Sequence, residues 1–418
     1  MKIAIICFPK IDWQVQFPIG IYKIKSFCKK EYNIFIVDER IQDADFEIEK
    51  LIQQHDVLCL GVSVMTGQQI SSAIRISKKF HDKLTIIWGG VHPTICPESV
   101  LAVDYVDYII RGDGEEAFLN LLRNLDKKQQ IDVDYKVHCF DNLSESNINF
   151  SEEFIKPEYF VKRDGFNRAF PLETSRGCPH KCAFCHNTIL GHTYRTVDTN
   201  FVIRSIDQLY NLYNIDGVIF QEDNFFLNAA SAAEILKGLK KYELGWKANS
   251  RISYLKKLVF DKKFMNLIID AHCHLLQFGV ESGSDRVLQM INKGIKVQDI
   301  IDINRKLSEY NIAIRYNFII GFPTESRMEI EDTLQLINRL LYENPNMESP
   351  FVNIYTPYPG TPLYDLAKQQ GFIPPKDLEG WSQIVWNYPD STLYRNEEYC
   401  KFLEIVSNSY LENSKYPR

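Results

Sequence analysis

At 418 residues the chain is long enough for two or three units with sizeable cores, and 45% hydrophobic with 24% charged residues excludes the disordered and fibrous classes. Its 48 basic and 54 acidic residues give a formal net charge of −6, which offers no general attraction to phosphate backbones and argues against nucleic acid as a partner. The opening "MKIAIICFPKIDW" is too short and too soon interrupted for a signal peptide, and no later apolar run reaches the roughly 20 residues of a membrane span. The expectation is a cytoplasmic protein with no membrane partner.

In chain order, "KIAIICF" (2–8), "NIFIVDE" (33–39), "VLCLGVSV" (57–64), "LTIIWGG" (84–90) and "DYIIRG" (107–112) are continuous, β-branched-rich runs, the pattern of parallel strands buried on both faces. Helical spacing separates them, as in 67–82, so residues 1–135 are expected to form a doubly wound, Rossmann-like sheet. Ligands in such sheets lie at the carboxyl ends of the strands, where Ser63, Thr66, Gly89, Gly90 and Gly112 fall. Residues 136–164 are polar and aperiodic and read as a linker with one small hairpin. Strand runs return at 169–175, 216–223, 246–252, 274–282, 314–322 and 351–358, each followed by a helical stretch. Six βα units over 165–360 predict a partial or complete TIM-like parallel barrel, with a C-terminal extension over 361–418 as a small cap.

The first barrel strand runs into "TSRGCPHKCAFCHN" (174–187), which carries Cys178, Cys182 and Cys185 with the spacing C-x-x-x-C-x-x-C. Three soft thiolates on one loop suit an iron–sulfur cluster, or zinc with a fourth ligand from His180, His186 or His192. Cys7, Cys28 and Cys59 fall inside strand or helix patterns and read as small core residues, as do the isolated Cys96, Cys139, Cys273 and Cys400. His272 and His274 in "AHCH" sit at a strand start and read as a polar barrel bottom.

"RGCPHKCAFC" resembles the cluster loop of the radical S-adenosylmethionine (SAM) enzymes. "FQEDNFF" (220–226), "WKANSRI" (246–252), "FGVESGSDRVLQMINKG" (278–294) and "NFIIGFPTES" (317–326) resemble that family's later strand-end segments, in the same order. The resemblance implies a 4Fe-4S cluster on Cys178, Cys182 and Cys185, with its open iron binding SAM. It implies SAM contacts from Phe184 on the adenine side, Glu222, Asp223, Arg251 toward a carboxylate, Glu281 and Ser282 toward ribose and methionine, and Gly321.

The front domain resembles the cobalamin-binding domains fused ahead of this barrel in one large subgroup, through "QFPIGIYKIKSF" (16–27), "GVSVMTGQQI" (61–70), "IIWGGVHPTICPE" (86–98) and "VDYIIRGDGEEAF" (106–118). That resemblance implies cobalamin held by Ser63, Thr66, Gly89, Gly90, His92, Thr94 and Gly112. The alternative is a doubly wound domain that has lost its cofactor. The family's Asp-x-His-x-x-Gly loop is replaced here by "PKIDWQVQFPIG", without histidine, so the lower face of cobalamin is expected to lack a histidine ligand and to face water or a side chain such as Trp13 or Gln14.

The implied activity is C-methylation. One SAM methylates cobalamin, a second yields the 5′-deoxyadenosyl radical that abstracts a substrate hydrogen, and the carbon radical takes the methyl group. A cyclase, ring-rearranging enzyme or oxidase would use the same cofactors without methyl transfer, and a non-catalytic cobalamin and SAM sensor is the reading from another class. The implied partners are a small-molecule or peptide substrate and an electron donor such as flavodoxin or ferredoxin.

Overall fold

The structure is a computed structural model, described here over residues 2–12, 15–129, 135–191, 193–384 and 397–411. Trp13, Gln14 and His192, singled out above, lie outside the described residues. The front unit has strands β1 (Ile3–Phe8), β2 (Asn33–Asp38), β3 (Val57–Ser63), β4 (Thr85–Gly89) and β5 (Tyr108–Ile109), all parallel in the order β2-β1-β3-β4-β5. The chain winds outward in both directions from β1, so the crevice of this sheet opens beside β1 and β3. Amphipathic helices cover both faces. Helix Gln69–Phe80, for example, buries Ile70, Ala73, Ile74 and Phe80 on one stripe.

The expected strand 107–112 ends early. After β5 the chain breaks at Ile110 and forms β6 (Arg111–Gly112), which pairs in parallel with β7 (Val137–His138). The segment 136–164 therefore starts with a parallel pair, where a hairpin was expected. It is also more than a tether, because Leu143, Ile148, Phe150, Ile155, Tyr159 and Phe160 are buried in the core shared by both units. Phe17 of the front unit packs edge-on against Tyr159, with centroids 5.5 Å apart, and lies 4.9 Å from Phe170 of the barrel. Such aromatic contacts stabilise beyond the area they bury and fix one unit on the other.

The barrel unit opens with β8 (Ala169–Leu172), followed by the short antiparallel pair β9 (Ser175–Arg176) and β10 (Arg195–Thr196). It continues with β11 (Gly217–Phe220), β12 (Gly245–Ser250), β13 (Cys273–Glu281), β14 (Ala313–Ile320) and β15 (Phe351–Ile354). Strands β8 and β11 to β15 form one parallel sheet in chain order, and β15 does not pair back to β8. This is the partial TIM-like barrel expected from the six βα units. His274 of the "AHCH" run packs on Phe166 at the barrel's bottom, with centroids 4.9 Å apart.

The C-terminal extension runs back over both units. Helix Pro362–Gln369 sits beside the cysteine loop, where Leu363 N–H donates to Ala183 O at 3.0 Å. Leu378, Trp381 and Ile384 are buried in the front unit's second core. Helix Glu397–Leu411 lies along β15 and buries Leu403 against Gly321. Among the described residues no helix is long and apolar enough to cross a membrane.

Candidate functional site

The cysteine loop leaves β9 at Gly177, whose φ is +87° and whose added Cβ would lie 1.9 Å from Thr193 O. Only glycine fits that position. Cys178 and Cys182 are buried and Cys185 is half-buried. Burial pushes Cys178 up and Cys185 up to about 12, which disfavours those two thiolates unless a cationic centre supplies the opposing charge. Arg251, at the end of β12, turns toward this loop: Nη1 donates to Cys182 Sγ at 2.9 Å, and Nη2 bonds to Lys293 O. Its Nε is buried without a hydrogen-bond partner. Three thiols and a guanidinium at one of them fit an anionic iron–sulfur cluster. Among the described residues no three His, Cys, Asp or Glu side chains converge as they would around a single metal ion. His180 instead hydrogen-bonds Tyr254 Oη at 3.0 Å.

The strand-end residues surround this loop. Asp223 accepts from Asn187 Nδ2 at 2.6 Å, which ties it to the loop just past Cys185. Glu281 sits at φ +70°, a left-handed conformation uncommon for a side-chain-bearing residue, and its buried carboxylate pairs with Lys293 Nζ at 2.7 Å. Ser282 is fully buried and accepts from Ser284 N–H at 3.1 Å, so its hydroxyl builds the loop after β13. Phe184 lies 5.8 Å from Phe322, next to Gly321, whose φ is +79°. Glu222 accepts from the Thr174 hydroxyl, and burial without a basic partner pushes it up to about 7. Glu222 also lines a cavity between the two units whose lining does not include Asp223, so these residues, adjacent in sequence, have different surroundings.

On the front sheet a cavity of about 250 Å³ lies beside β1 and β3, lined by Gly20, Gly61, Ser63, Gly89, Gly90 and Gly112 among others. A Cβ at Gly89 would meet nothing nearer than 3.9 Å, and one at Gly20 nothing within 4 Å, so these missing side chains are part of the open space. A long nucleotide-like tail fits such a glycine-walled slot against backbone. Thr66, His92 and Thr94 build its rim without lining it. His92 is fully buried, with Nδ1 3.1 Å from Thr66 Oγ1 and Nε2 3.1 Å from Ser99 Oγ, and desolvation lowers it to about 4. It is a neutral ring with both nitrogens engaged. Thr94 Oγ1 donates to Gly90 O at 2.6 Å and accepts from Gly112 N–H at 2.9 Å, joining the two loops that flank the slot.

In the cavity wall, just ahead of the cysteine loop in the chain, lies a charged network that no single motif announces. Arg176 donates to Asp113 at 2.8 Å, to Glu115 at 3.0 Å, and to the two Glu173 oxygens at 3.0 and 3.1 Å. Lys23 also pairs with Glu173, and Arg195 with Asp113. Asp113, Glu115, Glu173 and Arg176 line the cavity as well. The charged residues crowded into "RGDGEE" (111–116) and "LETSRG" (172–177) at predicted strand ends were the available signal. Lys293 carried none, because its partner Glu281 is set by the fold.

Comparison with known proteins assigns a family model to each unit. Residues 172–337 match the Radical SAM superfamily model and residues 14–122 match the B12 binding domain model. The chain is a radical SAM protein with a B12-binding domain. It is 29% identical to the uncharacterized methyltransferase PH0819 of Pyrococcus horikoshii, over 84% of this chain and 78% of that one. Among solved structures, the radical SAM methyltransferase TsrM from Kitasatospora setae, with cobalamin and a [4Fe-4S] cluster bound, superposes with a TM-score of 0.70 at 14% identity, covering 88% of this chain and 75% of that one. The cobalamin-dependent radical SAM enzyme OxsB superposes with a TM-score of 0.66 at 19% identity over 81% of this chain, which spans about half of OxsB (52%). Both domains share the fold of these solved proteins, and the two family models imply a 4Fe-4S cluster, SAM and cobalamin.

Proposed function

We propose that this protein is a cobalamin-dependent methyltransferase that methylates an unactivated carbon of a small-molecule or peptide substrate by radical chemistry. The observation that carries the proposal is the linkage of two sites: a glycine-walled slot for cobalamin is lined by Arg176, two residues before the first cysteine of the three-cysteine loop for the cluster, and Arg176 anchors one charged network. When bound, the cluster and SAM supply the radical that removes a hydrogen, and cobalamin supplies the methyl group.

The chain's own contribution is positioning. Cys178, Cys182 and Cys185 hold the iron, with Arg251 offsetting charge at Cys182. Asp223, on the cluster side, and Glu281, held by Lys293, offer carboxylates to the ammonium and ribose of SAM; Phe184 and Gly321 wall the adenine. Ser63, Gly89, Gly90 and Gly112 line the cobalamin slot, and Thr66, His92 and Thr94 fix its rim. The loop 9–20 contains no histidine and both nitrogens of His92 are engaged, which supports a cobalamin without a histidine lower ligand. A low-potential donor of the flavodoxin or ferredoxin kind would reduce the cluster.

The test is a product inventory from anaerobic incubations with SAM carrying a trideuterated methyl group, a reductant and candidate substrates. Methyl transfer requires S-adenosylhomocysteine and 5′-deoxyadenosine in equal amounts and a product heavier by the labelled methyl. 5′-Deoxyadenosine with a changed substrate but no S-adenosylhomocysteine would replace methylation by rearrangement or oxidation.

A further inference from the structure

A cavity of about 220 Å³ lies between the two units, lined by Gln16, Phe17, Ile19 and Gly20 from the front and by Glu173, Gln221 and Glu222 from the barrel. It shares Gly20 and Glu173 with the glycine-walled slot, so whatever fills the slot borders this second space. Gly20 and Gln221 are exposed, which leaves it open to solvent. It therefore has what a substrate site between two cofactors needs: an entrance, a wall from each unit, and contact with the cobalamin slot.

Its polar groups are not equivalent. Glu173 is committed, since it bonds Arg176 twice and pairs with Lys23. Gln221 Nε2 donates to Gln16 Oε1 at 3.2 Å across the gap between the units. Glu222 is 6% exposed, and its carboxyl accepts from the Thr174 hydroxyl, from the Thr174 backbone N–H in a long contact of 3.5 Å, and from its own backbone N–H. The other two mouth carboxylates are already matched on the cluster side, Asp223 by Asn187 and Glu281 by Lys293. A glutamate in the wall of an accessible cavity, its carboxyl buried with no cation beside it, has hydrogen-bonding capacity left for an incoming ligand.

We propose that Glu222 is a substrate-binding residue rather than a SAM ligand. Its carboxyl grips an O–H or N–H group on the substrate, close to the carbon that is methylated, in the space between the units. The substrate class is accordingly a small molecule, or the side chain of a peptide, with a hydrogen-bond donor beside the target carbon. This rests on the methyltransferase reading above for the identity of the reaction, but the assignment of Glu222 to substrate and not to SAM stands on the cavity.

The test uses cluster- and cobalamin-loaded enzyme and a small apolar carbodiimide, diisopropylcarbodiimide, which adds to protonated carboxyls to form a stable N-acylurea located by peptide mass spectrometry. Thr174, Glu173 and Tyr194 are the polar and titratable neighbours that act on Glu222. Desolvation, the largest of the influences on Glu222, keeps its proton on to about pH 7. The adduct should form at Glu222 at pH 6, fall at least tenfold by pH 8.5, and change less than twofold with saturating SAM. Glu173 should stay unlabelled, and the labelling profile should reach its midpoint at lower pH with 2-butanol than with 2-butanone, because the alcohol can donate to the ionised carboxylate whereas the ketone binds only the protonated form. Tenfold protection by SAM would return Glu222 to the SAM site. Absence of the adduct at pH 6 would show that the carboxyl does not serve the cavity, and the same midpoint with the alcohol and the ketone would remove the donor requirement. Iron and cobalamin contents of the same sample report separately on the two-cofactor reading, so its failure is distinguishable from failure of the Glu222 assignment.

Discussion

Replacing Arg176 by methionine tests whether the two units are held by one balanced buried network. Three cations, Lys23, Arg176 and Arg195, face three carboxylates, Asp113, Glu115 and Glu173, and Arg176 alone touches all three carboxylates. Methionine keeps the apolar stem and removes the charge, leaving an excess of buried negative charge. Breaking a buried pair from one side costs about 3–5 kcal/mol, and because the Arg176 side chain is 19% exposed the expected loss is near the lower end, about 3 kcal/mol. The loss has a pH signature. The guanidinium of Arg176 and the ammonium of Lys23 hold Glu173 down at about 2, against about 4.3 in an unfolded chain. A carboxyl lowered in the folded state contributes stability above the unfolded value and loses it as pH falls toward the folded one. The deficit of Arg176→Met should therefore be complete at pH 7 and clearly smaller at pH 3. Urea denaturation followed by tryptophan fluorescence at both pH values reads it, and Glu173→Gln added to Arg176→Met should recover at least about 1 kcal/mol at pH 7, as expected for contacting charges. A loss below about 1 kcal/mol at pH 7, or a deficit unchanged at pH 3, would refute the network argument.

Gly89→Leu should fold, since the nearest atom to its Cβ is 3.9 Å away, yet fill the slot: cobalamin retention after gel filtration should fall at least tenfold with iron content unchanged. Gly177→Ala should lose most of its reconstituted iron, because its Cβ would meet Thr193 O at 1.9 Å and φ is +87°; iron and sulfide assays read this. Thr66→Val leaves His92 Nδ1 without its partner and should cost about 1 kcal/mol in thermal or urea unfolding. With histidine labelled by 15N, the electron paramagnetic resonance spectrum of bound cob(II)alamin should show no 15N axial splitting, whereas such splitting would contradict a cobalamin without a histidine lower ligand.

The parts legible in sequence are those governed by local pattern. Continuous β-branched runs such as "IAIICF" and "GVIF" form buried parallel strands because both faces of those sheets are covered, and the C-x-x-x-C-x-x-C spacing delivers three thiols on one loop whatever packs around it. What the sequence hides is partnership. Nothing near Glu281 indicates that Lys293, twelve residues on, is its counter-ion, and nothing in "QED" indicates that Glu222 and Asp223 face different spaces. Segment 136–164 looked like a tether because its apolar residues have no period, but an aperiodic segment can still fill the seam between two units, as Phe150 and Tyr159 do. Strand 107–112 was expected as one run, but the chain breaks after Ile109 and restarts at Arg111 so that Gly112 can reach Thr94 and the slot.

The most direct test of the account is the cofactor content of anaerobically reconstituted protein after incubation with hydroxocobalamin and removal of the excess. The prediction is one retained cobalamin beside one four-iron cluster, with Cys182→Ala losing the cluster while the corrin absorption bands persist. An intact cluster with no retained cobalamin would contradict the account, leave the front unit without its cofactor and reduce the chemistry to hydrogen abstraction alone.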